Sequence, residues 1–226
     1  MMIEIKDLCK RFSSPNGEII ALDNLSLKIS DGEFVAFTGK SGAGKTTLLN
    51  MIGGLDKPDC GSVLIDGVDI SRLSEKKKAL LRRRKIGVIY QFYNLIPELT
   101  VCENITLPIE LDGGKIDEAW LSELLCAVDL SERGGDYPDV LSGGQQQRAA
   151  IARAVFSLPS IILADEPTGN LDSENADQVL SLLKDMNEKY KITVLMVTHS
   201  AEAASYANRV IKIENGRICD DGRGVI

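Results

Sequence analysis

The stretch that most constrains this chain runs from Phe34 to Asn50 and reads FVAFTGKSGAGKTTLLN. A short apolar run, a glycine-rich turn and a second apolar run follow one another, which predicts a strand, a loop and a helix. The turn matches the phosphate-binding pattern G-x-x-x-x-G-K-[ST], with its glycines at Gly39 and Gly44. The alternative is an ordinary glycine-rich loop with a surface lysine. The strand before it and the helix after it favour a nucleotide-binding loop.

The residue types in this loop suit a polyphosphate. Its glycines let successive backbone N–H groups point inward, and the helix that begins near Lys45 adds the positive end of its dipole. Lys45 can reach the β- and γ-phosphates, and the hydroxyl of Thr46 is a suitable Mg²⁺ ligand. The predicted nucleotide-binding residues of the loop are Gly39, Lys40, Ser41, Gly42, Ala43, Gly44, Lys45, Thr46 and Thr47.

The composition disfavours several classes of protein. A net charge of −7 leaves no basic excess to neutralise a nucleic-acid backbone. No apolar run reaches about 18 residues and the start of the chain lacks the apolar core of a signal peptide, so we expect a cytosolic chain without a membrane-spanning helix. The cysteines are scattered and form no C-x-x-C pair, so we expect reduced, mostly structural thiols at Cys9, Cys60, Cys102, Cys126 and Cys219.

Apolar periodicity predicts strands on both sides of the loop. Alternating apolar and polar residues indicate an early antiparallel layer, and continuous apolar runs are typical of buried strands in a parallel sheet. The predicted strands cover residues 2–6, 19–22, 25–29, 62–67, 86–90, 161–164 and 192–197.

Residues 92–156 have a different pattern, with apolar residues at spacings of three and four, which predicts helices. A basic stretch at 73–85 is best explained as a solvated helix face, with a phosphate or lipid-headgroup patch as the alternative. The expected architecture is one α/β domain over residues 1–226. Its parallel-sheet core and N-terminal antiparallel β subdomain comprise 1–91 and 157–226, and its inserted α-helical subdomain comprises 92–156.

Polar residues follow three of the predicted parallel strands. Asp165 and Glu166 follow one, His199 another and Gln91 a third, so all four are expected at the carboxyl edge of the sheet. There Asp165 suits Mg²⁺, Glu166 can polarise an attacking water, His199 can contact the γ-phosphate, and Gln91 can ligate Mg²⁺ or orient water. Their ordinary interpretations are a helix cap, a surface or core histidine and a polar residue at a sheet edge. The neighbouring phosphate loop favours the functional interpretation.

A second glycine-rich helix start occurs at Leu141–Arg148, which reads LSGGQQQR. Ser142 is a good N-cap and the glycines free backbone N–H groups, so this is a second candidate phosphate-binding site. An ordinary capped helix is the alternative. Because one loop already cradles the phosphates, the second makes sense only if it reaches the nucleotide of another molecule.

These motifs together resemble those of the ATP-binding cassette (ABC) ATPases, over essentially the whole chain. They occur in the order of that family: the phosphate loop at 39–46, Gln91, LSGGQ at 141–145, ILADE at 162–166, Gly169–Asp172 and His199. Many NTPases share the phosphate loop, whereas LSGGQQQR is highly specific. The resemblance implies a P-loop NTPase fold with a RecA-like core.

The resemblance also implies a head-to-tail dimer of this chain that sandwiches two ATP molecules. Each ATP would lie between the phosphate loop of one copy and Ser142, Gly143, Gly144 and Gln145 of the other, and Asp172 would communicate across the interface. The other implied roles are catalytic for Glu166 (the base), His199 and Lys45, Mg²⁺-binding for Thr46, Gln91 and Asp165, and adenine-stacking for Phe12. Phe12 replaces a more common tyrosine, and Lys40 stands where proline or serine is frequent.

The implied partner is a transmembrane permease subunit, which would hold the chain at the cytoplasmic face of the membrane; no nucleic-acid partner is expected. The runs Gly53–Pro58, Tyr90–Pro97 and Gly169–Asp172 resemble the lipoprotein-release, macrolide-efflux and antimicrobial-peptide-resistance branch. Two alternatives stay open. One is an ATPase signalling subunit of a membrane complex, of the cell-division type. The other is a soluble ABC ATPase acting on DNA or ribosomes, which the acidic charge disfavours.

Overall fold

The computed structural model of the chain describes residues 2–15 and 17–223. Its strands are β1 (Ile3–Ser14), β2 (Gly17–Ile29), β3 (Phe34–Thr38), β4 (Cys60–Ile65), β5 (Val68–Asp69), β6 (Ile86–Ile89), β7 (Ile161–Asp165), β8 (Thr193–Val197), β9 (Arg209–Glu214) and β10 (Arg217–Arg223). Its helices are α1 (Lys45–Ile52), α2 (Glu75–Lys85), α3 (Val101–Leu111), α4 (Glu118–Ala127), α5 (Gly143–Phe156), α6 (Ser173–Tyr190) and α7 (Ala201–Ala204). In this part of the chain no helix is long and apolar enough to cross a bilayer.

The larger sheet has the strand order β10, β9, β3, β8, β7, β6. Its neighbouring strands pair in parallel, except that β10 runs antiparallel to β9. The central strands β3, β7 and β8 are almost entirely buried, as their continuous apolar sequences predict. The predicted α/β fold with a parallel-sheet core is confirmed.

Each face of this sheet has its own hydrophobic core, because successive residues of a strand point to opposite sides. Phe34 and Ala36 of β3 pack in a core with apolar residues of α3, α4, α5 and α6. Val35 and Phe37 pack in a second core with α1 and the smaller sheet. Helices therefore cover one face of the parallel sheet, and α1 with the β layer covers the other.

The smaller sheet is antiparallel and has the order β2, β1, β4, β5. Strand β1 extends well beyond the predicted residues 2–6, to Ser14. The alternation is lost after Ile5 because the pairing of β1 with β2 shifts register there, and Asp7 has a positive φ of 45°. This irregular extension carries Phe12, which pairs with Ile19 of β2.

The expectation of reduced thiols is wrong for Cys9 and Cys60, which form a disulfide between β1 and β4. The two residues are partners in the antiparallel ladder, with their Cα atoms 5.0 Å apart. They lie 51 positions apart in sequence, and that spacing does not reveal that the two strands are neighbours. Cys102, Cys126 and Cys219 are free thiols, and burial raises the pKa of Cys102.

The basic stretch forms helix α2, most of whose side chains are exposed as expected. Lys78 is the exception, because its side chain is 2% exposed and its ammonium lies 3.1 Å from the carboxylate of Glu75. Arg82 donates to the carbonyl of Gly54 over 3.0 Å, and Arg84 pairs with Asp112. Several basic side chains of α2 are therefore paired with carboxylates or carbonyls of the same chain.

Between residues 92 and 156 the regular structure is helical. Helix α3 begins with a capping box in which Thr100 and Glu103 exchange hydrogen bonds, and Asp117 caps α4. Trp120 of α4 donates its indole N–H to the carbonyl of Phe156 over 2.9 Å, which ties α4 to the end of α5. These helices form the layer on one face of the parallel sheet.

Candidate functional site

The phosphate loop joins the end of β3 to the start of α1, at the carboxyl edge of the parallel sheet. Gly39 and Gly44 have positive φ angles of 143° and 98°. A Cβ atom at either position would collide with a backbone carbonyl, of Ile213 at Gly39 and of Ala21 at Gly44. Glycine is therefore required at both positions by conformation and by space.

Lys45 is almost fully buried at the first position of α1. Its ammonium donates to the carbonyls of Gly39 and Lys40 over 2.8 and 3.0 Å. The side chain thus folds back over its own loop. It supplies a fixed positive charge beside the backbone N–H groups at the helix start.

Thr46 and Asp165 meet between α1 and the end of β7. The hydroxyl of Thr46 donates to Oδ1 of Asp165 over 3.1 Å. Burial raises the pKa of Asp165; the Thr46 bond and Lys45 oppose this effect, and Glu166 adds to it. A hydroxyl and a carboxylate side by side are oxygen ligands of the kind that Mg²⁺ prefers. Within the described residues no cluster of three His, Cys, Asp or Glu could hold a metal.

Glu166 and His199 form a pair at the exits of β7 and β8. The Nδ1 atom of His199 lies 2.9 Å from Oε1 of Glu166, and its backbone N–H donates to Oε2 over 3.4 Å. Glu166 has a left-handed φ of 48°, and its own N–H donates to the carbonyl of Val197 over 3.0 Å. This link between neighbouring strand ends fixes where the carboxylate points.

An open cleft of about 510 Å³ brings most of the predicted site residues together. Phe12, a residue 41% exposed, forms one wall, and the ammonium of Lys10 lies 5.2 Å from the centroid of its ring. The cleft is lined by Phe12, Ile19, Ala21, Ser41, Gly42, Ala43, Gly44, Lys45, Thr46, Thr47, Gln91, Asp165, Glu166, Val197 and His199. Lys40 instead lines a smaller cavity with Glu214 and Asn215.

Gln91 reaches the cleft from the exit of β6. Its carbonyl accepts from Nδ2 of Asn170 over 2.9 Å, and its Nε2 lies 3.5 Å from the side-chain oxygen of Asn170. Sequence reasoning did not assign a role to Asn170 or to the wall residues Ile19 and Ala21. The alternation of β2 was visible, but not its pairing opposite Phe12.

Ser142, Gly143, Gly144, Gln145 and Asp172 do not line this cleft and form a separate group, here called the signature cluster. Ser142 and Gln145 make a capping box at the start of α5. Asp172 caps α6, and hydrogen bonds from Asn175 hold the pKa of Asp172 below its usual value. A Cβ atom at Gly144 would collide with the side chain of Asn175, so the two helix starts pack directly together.

Comparisons with known proteins agree with these motifs. The family described as ABC transporter matches residues 22–169. An uncharacterised ABC transporter ATP-binding protein of Methanocaldococcus jannaschii is 47% identical over 223 residues, which cover 97% of this chain and 98% of the relative. A protein of the same description from Mycobacterium tuberculosis H37Rv is 44% identical over 219 residues, covering 96% and 88%.

A third relative is the macrolide export ATP-binding/permease protein MacB of Syntrophobacter fumaroxidans. It is 42% identical over 221 residues, which cover 96% of this chain but 31% of that longer protein. This chain therefore corresponds to one part of MacB.

Solved structures extend the similarity to the whole fold. A dimeric post-hydrolysis state of the ATP-binding cassette MJ0796, bound to ADP and Pi, is 39% identical with a TM-score of 0.90 and covers 99% of both chains. A second dimeric structure of MJ0796, described as a bacterial ABC transporter cassette, is 40% identical with a TM-score of 0.89 at the same coverage. On the family match, the relatives and the shared fold, this chain belongs to the ABC transporter family, as an ATP-binding subunit.

Proposed function

We propose that this chain is a Mg²⁺-dependent ATPase subunit that drives a separate transmembrane permease subunit from the cytoplasmic face of a membrane. The observation that carries the proposal is the division of its motif residues into two groups. The phosphate loop, Asp165, Glu166 and His199 line one cleft, whereas the signature cluster lies outside it. A single copy thus offers one incomplete ATP site and one unused phosphate-binding helix start.

The cleft can orient ATP with residues of this chain alone. Phe12 offers a ring for stacking with the adenine. The N–H groups of the loop and the ammonium of Lys45 provide positive charge for the β- and γ-phosphates, where charge moves during phosphoryl transfer. Because Lys45 is already held by Gly39 and Lys40, little reorganisation is needed when the phosphates bind.

Thr46 and Asp165 would hold Mg²⁺, with Gln91 close enough to the cleft to complete the set. An ion held there would supply positive charge to offset the negative charge of the phosphates. The contact between Thr46 and Asp165 keeps both oxygens turned into the cleft. The donor set fits Mg²⁺ because its ligands are hard oxygens and few.

Glu166 would accept the proton of the attacking water, as a general base. His199 holds this carboxylate in place through Nδ1 and its backbone N–H, and its exposed imidazole is free to contact the γ-phosphate. Lys45 contributes to catalysis through its charge. The site therefore works by positioning and charge stabilisation, as expected for a P-loop NTPase.

Two copies of the chain would complete both sites. In this dimer the signature cluster of each copy faces the ATP in the cleft of the other, and Asp172 lies near the interface. The support is the dimeric state of the MJ0796 structures and the exposed positions of Ser142 and Asp172. ATP would then bring the copies together, and hydrolysis would release them.

For the transported cargo we propose the export type, in the branch of macrolide-efflux, lipoprotein-release and antimicrobial-peptide-resistance proteins. The support is the 42% identity to MacB, whose name describes macrolide export and an attached permease. We also propose the division into a core at 1–91 and 157–226 and a helical subdomain at 92–156, because α3, α4 and α5 fall within the latter range.

The test is to measure phosphate release by the purified chain with ATP and Mg²⁺, with ATP and EDTA, and for the variant Glu166→Gln. Activity that needs Mg²⁺ and disappears in the variant supports the enzyme. Purification of the tagged chain from solubilised membranes then identifies the bound partner. Recovery of nucleic acid or ribosomes in place of a membrane protein would overturn the transporter proposal.

A further inference from the structure

Gln147 links the helix of the signature cluster to the segment that carries Glu166. It lies on α5 and is 0% exposed. Its Nε2 donates to the carbonyl of Pro167 over 2.6 Å, and Pro167 is itself buried and directly follows Glu166. The bond therefore connects two parts of the chain that the proposed function assigns to two different ATP molecules.

The orientation of this amide is determined by its partner. If the amide were turned round, its oxygen would face the carbonyl oxygen of Pro167, and two acceptors cannot bond. In the orientation observed, Oε1 is the only buried side-chain nitrogen or oxygen among the described residues that has no hydrogen-bond partner. The unpaired Oε1 costs some stability, whereas Nε2 satisfies the buried carbonyl of Pro167. The amide of Gln147 is therefore held by one bond only, the bond to the segment that carries Glu166.

The segment after β7 has a backbone conformation that hydrogen bonds from neighbouring elements must hold in place. Glu166 has the left-handed φ of 48°, which is unfavourable for a residue with a side chain. Its N–H is bound by the carbonyl of Val197, and its own carbonyl accepts from Gly169. Gln147 adds a further restraint, through the carbonyl of Pro167. The backbone that carries the Glu166 carboxylate is thus bonded both to the end of β8 and to α5.

We propose that Gln147 is a positioning residue for hydrolysis, which makes the geometry of Glu166 depend on the position of α5. Ser142 precedes it by five residues at the start of the same helix, a distance of about 7.5 Å along the axis. A shift of α5 when Ser142 contacts the ATP of the second copy would reach Glu166 through the Pro167 carbonyl. Gln147 can have this role only if Glu166 has the role proposed above.

Gln147→Met tests this role, because methionine keeps the size of the side chain and removes the donor. Misplacement of a reacting group lowers turnover, so we expect kcat to fall about ten- to hundredfold, with the KM for ATP changed by less than about twofold. The melting temperature should fall, because methionine leaves the carbonyl of Pro167 without its donor. Asn187→Leu is the matched control, since the buried amide of Asn187 donates to the carbonyls of Gly32 and Ile192, away from the cleft. It should lower the melting temperature and leave kcat unchanged.

A double variant separates positioning from a general structural effect. In the background of Glu166→Gln, Gln147→Met should cause no further loss in single-turnover phosphate release, because residues that act through one another are not additive. An equal loss in both backgrounds overturns the proposal, as does a folded Gln147→Met with wild-type kcat. Gln147→Leu repeats the test if the methionine variant does not fold, and failure of both to fold assigns Gln147 a structural role instead. Wild-type protein without ATPase activity, or Glu166→Gln with full activity, overturns the proposed function itself.

Discussion

The hydroxyl of Thr46 donates a hydrogen bond to Oδ1 of Asp165 over 3.1 Å and so joins the first turn of α1 to the end of β7. The two residues are 119 positions apart in the sequence. They meet because β3 and β7 lie on either side of β8 in one parallel sheet and end at the same edge. The contact holds together the two oxygen groups that we propose as Mg²⁺ ligands.

Asp165→Asn should raise the stability of the nucleotide-free protein at neutral pH and lower its Mg²⁺-dependent ATPase activity. Burial raises the pKa of Asp165, so its carboxyl group favours the folded state when protonated, and this contribution is lost as the pH rises through the raised pKa. Asparagine is uncharged and so avoids the cost of burying a negative charge. Its side-chain oxygen can still accept the hydrogen bond from Thr46. Chemical unfolding of both proteins as a function of pH checks this. The stability difference should shrink on acidification, and a constant difference would contradict the assignment.

Glu166→Gln should lower kcat by about 10²- to 10⁴-fold, the usual contribution of a general base. ATP binding should persist, because the glutamine side chain keeps the size of glutamate and can accept from His199. Without hydrolysis to separate the copies, the variant should accumulate as a dimer with ATP. Light scattering with and without ATP measures this. A strictly monomeric ATP-bound variant would count against the sandwich dimer.

Phe12→Ala should raise the KM for ATP about five- to thirtyfold, equivalent to about 1–2 kcal/mol of lost base stacking, with little change in kcat. Phe12 is 41% exposed at the cleft wall, so loss of its ring removes a contact with the base without opening the core. Phe12→Tyr is the control and should keep the wild-type KM, since the ring is retained. Steady-state kinetics of the three proteins decides the point.

Gly44→Ala should be more destabilising than Gly67→Ala. Both glycines have positive φ, and this strain costs a residue with a Cβ about 1–2 kcal/mol. A Cβ at Gly67 meets no atom within 4 Å, whereas one at Gly44 collides with the Ala21 carbonyl. The free energies of unfolding from urea titrations should therefore differ by about a further 1–3 kcal/mol. Equal losses would show that the loop can shift to accept the methyl group.

Reduction of the Cys9–Cys60 disulfide should lower the free energy of unfolding by about 2–4 kcal/mol, because the bond restricts the unfolded chain. It closes a long segment, with a sequence separation of 51. Cys9→Ser should make stability independent of reductant, and Cys126→Ser, at a free and exposed thiol, should leave the dependence intact. Urea unfolding with and without reductant measures both. If reductant did not change the free energy of unfolding of the wild-type protein, the disulfide between Cys9 and Cys60 would be contradicted.

The local motifs were readable because each depends on residues that are close in sequence. The phosphate loop needs glycines at fixed offsets from Lys45, and the capping box at Ser142 needs Gln145 three positions later. The buried strands could be recognised as continuous apolar runs, since both of their faces are covered. These local features were enough to predict the fold class, the family and the candidate residues at the strand ends.

Which of these residues contact one another became clear only from the folded chain. The strand order that places Thr46 beside Asp165 is not visible in the sequence. The same is true of the irregular pairing of β1 that puts Phe12 opposite Ile19. The neighbouring strands that bring Cys9 to Cys60 are not visible either. The Gln147–Pro167 bond was equally hidden. This difference arises because periodicity and loop chemistry are local properties of the chain. Contacts between distant segments arise from burying two faces of one sheet at the same time, and that requirement involves the whole chain.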